Sequence, residues 1–378
     1  MQLPALSLYI HVPWCVRKCP YCDFNSHAAG QEIPEDFYVK TLLADLQQEL
    51  PFVQGRSIDT IFIGGGTPSL LSATAYRDLF AGLKQQLTFA ADIEITMEAN
   101  PGTFEAEKFA AYRALGINRL SLGIQSFNDG HLQKLGRIHN SANAIHAVKE
   151  ARHAGFDNIN LDLMHGLPQQ SEAQAMADLE QAFALQPQHL SWYQLTLEPN
   201  TEFYSRPPQL PDDDTLWQIQ EAGQQRIAAA GFAQYEISAY AKPGRRARHN
   251  LNYWQFADYL GIGAGAHGKI SLPAENKILR TRKTRLPKDY MAEGKIPLAL
   301  IDEVSSAERP LEFLMFALRL KEGVPRALFS ATTGCDFAVI ADTWAELQKK
   351  GLLHAPDERL CCTEKGYLHL NYVLGQFE

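Results

Sequence analysis

A chain of 378 residues with 46% hydrophobic and 21% charged side chains carries enough apolar material for one large core and a smaller second one. Its formal charge of −8 excludes a protein whose main work is gripping phosphate backbones. Six cysteines, three of them clustered, do not make a disulfide framework, and no apolar run reaches the roughly 18 residues a membrane span needs.

Residues 1–6 lack a basic n-region, so no signal peptide is expected and the expected location is cytoplasmic. An apolar, strand-like run at 7–12 leads into Cys15-Val-Arg-Lys-Cys19-Pro-Tyr-Cys22. Further β-type runs recur at 60–63, 93–98, 119–125, 158–164 and 190–197. Between them Val39, Leu42, Leu43, Leu46 and Leu50 mark one face of a helix, and 76–87, 106–115, 142–154 and 172–185 read as helices rich in Ala, Leu and Gln. Gly116 and Gly155 sit where helices should end. Strand and helix in alternation predict a parallel sheet covered by helices. Nearly every strand ends in polar residues, which favours a partial (β/α)6 barrel over a doubly wound sheet, where ligands collect at one switch point.

A helix at 215–230 follows, then an apolar run at 234–240 and a basic segment with Lys242, Arg245, Arg246 and Arg248. His249-Asn250-Leu-Asn-Tyr253-Trp254 comes next, then the glycines of 261–268, then a loop-like stretch with Lys277, Arg280, Arg282, Lys283 and Arg285. Beyond about residue 301 the pattern becomes helical, with a candidate hairpin over 352–363, and reads as a small winged-helix-like domain. Residues 305–378 hold eight Lys and Arg against ten Asp and Glu, so nucleic acid is not an expected partner. The expected division is therefore 1–300, a barrel with an accessory segment carrying the His249 motif, and 301–378, a mainly helical domain.

Three thiolates on one short loop can hold three irons of a cubane cluster and leave the fourth open to bind and activate a ligand. A structural zinc site needs a fourth ligand, for which His11 and His27 lack the usual spacing. A ferredoxin would show a fourth cysteine, and a thioredoxin-like pair would leave Cys15 idle. Gly64-Gly65-Gly66-Thr67-Pro68 at a strand end suits either backbone contact with a ligand or a tight turn. Glu98, Gln125, Arg137 and Asp162 sit at or past strand ends, where a cationic sulfonium bearing a carboxylate, an amine and a ribose would find partners. Gly263 to Gly268 fits G-x-G-x-x-G but is weak as a dinucleotide fingerprint, with no clear strand before it and no helix after. The His249 cluster suits a flat dianionic macrocycle with an axial imidazole, yet the residues alone favour core packing for Tyr253 and Trp254 and a cap for His249.

Taken together, Tyr9-Ile-His11, the cysteine trio, Gly64 to Pro68, Glu98-Ala-Asn100-Pro101, Gly123-Ile-Gln125-Ser126, Asp162-Leu-Met-His165-Gly166 and His249-Asn-x-x-Tyr253-Trp254 resemble one group over essentially the whole chain. It is the oxygen-independent coproporphyrinogen III oxidase group of the radical S-adenosylmethionine (radical SAM) superfamily. The resemblance implies a [4Fe–4S] cluster on Cys15, Cys19 and Cys22. It implies S-adenosylmethionine against Tyr9, Gly65, Gly66, Thr67, Glu98, Gln125, Arg137 and Asp162, on a partial (β/α)6 barrel with a helical C-terminal domain. One position departs from the oxidases: their fourth cysteine, two residues after the third, is Phe24 here. They also carry a longer arm before the motif, whereas only fourteen residues precede Cys15. Phe24 together with His249-Asn-x-x-Tyr253-Trp254 resembles the HemW branch, which implies haem as cargo, His249 as a haem contact and respiratory haemoproteins as acceptors. The branch also implies loss of decarboxylase activity, with dimerisation and peripheral membrane docking as roles for the cluster. The competing expectation is a radical enzyme that oxidatively decarboxylates porphyrinogen propionates.

Overall fold

The computed structural model describes residues 1–30, 32–102, 108–292, 294 and 298–378. Six strands, β1 (Leu6–Val12), β2 (Ile58–Gly65), β3 (Phe89–Ala99), β4 (Arg119–Gln125), β5 (Ile159–His165) and β6 (His189–Gln194), lie side by side in chain order, each parallel to the next. The intervening helices are α1 (Glu35–Glu49), α2 (Ala73–Gln86), α3 (Phe109–Ala114), α4 (Ser141–His153) and α5 (Glu172–Ala184). The start of the expected third helix, residues 106 and 107, lies outside the described residues. This is the partial barrel with outer helices that the alternation predicts.

Local chemistry explains the element boundaries. Along β1, Leu6, Leu8, Ile10 and Val12 on one face and Ser7 and His11 on the other are buried, as a strand covered on both faces requires. Asn140 and Ser171 begin α4 and α5 with reciprocal capping boxes, satisfying backbone N–H groups that the helix itself leaves open. Gly116 and Gly155 take positive φ after α3 and α4, where a side chain would be strained.

Two expectations fail beside β1. Residues before the glycine run do form a strand, β9 (Asp258–Ile262), which pairs parallel to the outer edge of β1. The stretch taken for a loop is also a strand, β11 (Lys277–Lys283), held antiparallel between β10 (His267–Leu272) and β12 (Leu298–Glu303). Its basic residues hide a strand buried on both faces: Thr281 and Lys283 lie on one face and Ile278 on the other, and Lys283 is buried against Asp45 and Glu49 at 2.6 Å each. At the far edge, after α6 (Asp213–Ala229), β8 (Ala239–Ala241) pairs antiparallel with β6 and β7 (Ala233–Gln234) antiparallel with β8, giving twelve strands in one sheet among the described residues.

A second core forms around α8 (Arg309–Ala317), α9 (Arg326–Thr333) and α10 (Ala338–Lys349), with Phe313, Phe329 and Trp344 at its centre. It takes in Tyr235 and Phe256, so the C-terminal helices share their interior with the accessory segment. The expected hairpin is reduced to one antiparallel bridge, Leu353 to Cys362, while Arg359–Leu360 pairs instead with Val324–Pro325. No helix among the described residues is long and apolar enough to cross a membrane.

Candidate functional site

The carboxyl ends of β1 to β6 surround a cavity of about 450 Å³. Cys15, Cys19 and Cys22 line it together with Gly65, Gly66, Thr67, Glu98, Gln125, Arg137 and Asp162. Ten of the residues singled out in the sequence thus meet at one mouth, although up to 147 positions separate them in the chain. The cysteine loop is anchored by short backbone bonds: Gly66 N donates to Val12 O and Thr67 N to Trp14 O, both at 2.7 Å. This close approach requires glycine. A Cβ on Gly66 would stand 2.5 Å from the Trp14 carbonyl oxygen, and Gly65 holds φ +115° against the His11 ring.

The polar groups of this cavity are bonded to one another. Arg137 donates through Nη1 to Cys19 Sγ at 3.6 Å and through Nη2 to Asn100 Oδ1 at 2.7 Å and Gly123 O at 2.8 Å. Asn100 Nδ2 donates in turn to Thr67 Oγ1 at 2.9 Å. Asp162 accepts from Ser121 and Asn160 at 2.8 Å each, and Tyr193 Oη donates to Gln125 Oε1 at 2.8 Å. Glu98 accepts from Gly65 N at 3.1 Å. Burial, with the nearby Asp162 charge, pushes its carboxyl up to about 8, against the pull of that N–H. Burial also pushes the Cys15 and Cys22 thiols and the Asp162 carboxyl upward.

Sequence reasoning quoted Asn100 within a strand-end motif without giving it a contact, and it missed Tyr193. Asn100 had a signal, its place two residues past Glu98, whereas Tyr193 sits in an aromatic run that carried none. The donor set fits a cluster better than a single ion. All three thiols are free, the lining holds no fourth thiol or imidazole, and no three metal-binding side chains are grouped around one ion position among the described residues.

Tyr9 and His249 lie elsewhere. Tyr9 lines a neighbouring cavity of about 880 Å³ that shares Phe24, Gly65 and Glu98 with the first, and its hydroxyl pairs with His11 Nδ1 at 3.0 Å. His249 opens the short helix α7 (Arg248–Trp254) and is buried. Its Nδ1 pairs with Thr60 Oγ1 at 2.7 Å and its Nε2 with Tyr253 Oη at 2.8 Å. Burial, reinforced by the Arg119 charge, pushes the imidazole down to about 3. Both ring nitrogens are thus engaged by hydroxyl groups. The rest of the motif is a joint between barrel and C-terminal domain. Glu94 accepts the Arg248 and His249 N–H groups, Asn252 Nδ2 donates to Asp258 O at 2.9 Å, and Trp254 stacks on Phe316 with ring centroids 6.0 Å apart.

Residues 9–182 match the family model described as the radical SAM superfamily, and residues 304–369 match that of the HemN C-terminal domain. The heme chaperone HemW of Escherichia coli K12 is 54% identical over 377 residues, which cover 100% of this chain and 99% of the relative. The chain belongs to the HemW family of radical SAM proteins. A more distant member, the heme chaperone HemW of Bacillus subtilis 168, is 35% identical, with 98% of each chain covered. Among solved structures, the radical SAM coproporphyrinogen III oxidase HemN of Escherichia coli superposes with a TM-score of 0.84, covering 99% of this chain and 90% of that one. At 23% identity that likeness shows the fold alone. Membership of the superfamily implies a [4Fe–4S] cluster and S-adenosylmethionine.

Proposed function

We propose that the protein is a haem chaperone: it takes up haem and passes it to respiratory haemoproteins. The observation that carries this reading is identity of 54% along the whole chain with a protein named as a heme chaperone, against 23% with an oxidase of the same fold. Phe24, exposed between the two cavities where the oxidases place a cysteine, supports the same side. In this reading Cys15, Cys19 and Cys22 hold a [4Fe–4S] cluster. Gly65, Gly66, Thr67, Glu98, Gln125, Arg137 and Asp162 hold S-adenosylmethionine beside it. Glu98 and Asp162 offer acceptors to its amine and ribose, and Arg137 offers a cation to its carboxylate. When bound, the pair supplies one-electron chemistry at the sulfonium. That the ten residues line one cavity supports a single place for that chemistry.

The test is transfer. Protein with its cluster intact is loaded with haem and mixed with a haem-free b-type cytochrome, and the acceptor's spectrum is followed with time. Transfer faster than from free haem or serum albumin supports the chaperone reading. Anaerobic incubation with coproporphyrinogen III, S-adenosylmethionine and a reductant runs in parallel, and formation of protoporphyrinogen would overturn the chaperone-only assignment.

A further inference from the structure

The 880 Å³ cavity lies on the far side of the wall formed by Gly65 and Glu98, and nothing in the cofactor site accounts for it. Its size is in the range of about 300–1,000 Å³ usual for sites that enclose an organic ligand. The walls are aromatic to an unusual degree. Tyr9 and Phe62 stack at 6.3 Å, Tyr253 meets Tyr259 edge-on at 4.5 Å, and the stacked Trp254 and Phe316 continue the surface. Such walls suit a flat, polarisable ring system.

Three cations face this space, and their states differ. Lys283 is neutralised by Asp45 and Glu49. Arg282 is paired with Asp302 at 3.1 Å across an exposed contact, a pairing that water and salt weaken. Arg285 has no carboxylate partner among the described residues, and the single acid in the lining, Glu98, is held largely protonated by burial. The rim therefore favours an anion. Across the ladder from Arg282 stands His267, exposed at the start of β10. Neither of its ring nitrogens has a hydrogen bond among the described residues. The other cavity histidine, His11, is engaged through Tyr9 and Asn25, and His249 behind the wall is engaged on both nitrogens. Partial desolvation of the ring and the neighbouring arginines hold the His267 imidazole below its ordinary pKa, which leaves it neutral with a lone pair free.

We infer that this second cavity is the haem seat, with His267 as the axial ligand of the iron and Arg282 and Arg285 receiving the propionates. The assignment rests on the chaperone reading for the identity of the cargo. Its own content is the place and the ligand: a ring between aromatic walls, an unbonded imidazole beside it, and guanidinium groups at the rim that match carboxylates. The haem then lies one wall away from the cofactor cavity, with Phe24, Gly65 and Glu98 common to both.

The experiment is titration of the anaerobically reconstituted protein with ferric haem, read by the Soret band and by electron paramagnetic resonance, where an oxidised [4Fe–4S] cluster is silent. Wild-type protein, His267→Ala, Arg285→Ala and His249→Gln are compared. The expected result is one haem per chain with an imidazole signature in wild type. His267→Ala should bind about tenfold more weakly, lose that signature and regain it with added imidazole. Arg285→Ala should weaken binding several-fold with the wild-type spectrum, and His249→Gln should keep both spectrum and affinity. If wild-type protein takes up no haem, the chaperone reading itself fails. If it does, but His267→Ala matches it in spectrum and affinity, or if His249→Gln is the variant that loses the signature, the seat proposed here is wrong while the chaperone reading stands.

Discussion

The two cavities lie on either side of one strand end, yet they are built by different rules. In the first, the central polar groups are bonded to one another: Arg137 to Cys19, Asn100 and Gly123, Asn100 to Thr67, Asp162 to Ser121 and Asn160. In the second, the groups suited to a ligand, His267 and Arg285, are uncommitted among the described residues, and the walls are aromatic rings. A site whose groups are fixed before the ligand arrives loses little freedom on binding and holds its occupant in one geometry. A site of flat walls with a few unpaired groups pays more to order them and releases its occupant more readily. The first suits a resident cofactor, the second a cargo.

The sharpest way to break this comparison is to remove one thiol. Cys19→Ser should abolish essentially all cluster iron and brown absorbance, while haem uptake by the second cavity changes by less than about threefold; loss of both together would mean the cavities are not separable. Next in size is the joint behind the second cavity. His249→Ala removes two buried hydrogen bonds and leaves a void, and should lower stability in denaturant titration by roughly 2–5 kcal/mol. The same histidine sets a pH dependence. It stays neutral in the folded protein down to about 3, whereas the unfolded chain takes up the proton near pH 6.5, so stability is lost as pH falls below that value. The slope from this one group is about 1.4 kcal/mol per pH unit, and His139 and His165, both pushed down to about 4 by burial, add the same sign. His249→Gln should flatten the curve between pH 6 and pH 4 by one proton's worth.

A smaller effect tests the cofactor side. Because Glu98 is held near 8, binding a cation beside it should release a proton, and S-adenosylmethionine affinity should rise by up to about tenfold per pH unit toward pH 8. Calorimetry in two buffers of different ionisation enthalpy reads that proton directly, and Glu98→Gln should bind more weakly with no proton release. The smallest change is at the rim. Asp302→Asn should alter stability by less than about 0.5 kcal/mol, as expected for an exposed ion pair. It should tighten haem binding about twofold by freeing Arg282, without touching cluster content.

The strand-ending residues of the first cavity were legible because parallel α/β architecture turns chain order into spatial order. Once β1 to β6 are read as neighbours, Cys15, Thr67, Glu98, Gln125 and Asp162 must share a mouth. The second cavity was not legible by that rule. It draws on β1, β2, β3, α7, β9, β10, β11, β12 and α8, and two of these, β9 and β11, depend on pairings that the sequence disguises. Lys277 to Lys283 looks like a charged loop until β10 and β12 are laid against it, and Asp258 to Ile262 shows itself as a strand only beside β1. The motif around His249 was correctly singled out as dense in chemistry, but its residues alone could not say whether the imidazole faced a ligand or a hydroxyl.

The sequence by itself determined the alternation of strand and helix, the cysteine spacing and the glycines that let the loop close on β2, because these depend on local period and backbone freedom. Tertiary structure alone decided which histidine is engaged and which is open. That depends on what the folded chain brings against each ring: Thr60 and Tyr253 satisfy His249, and nothing described satisfies His267.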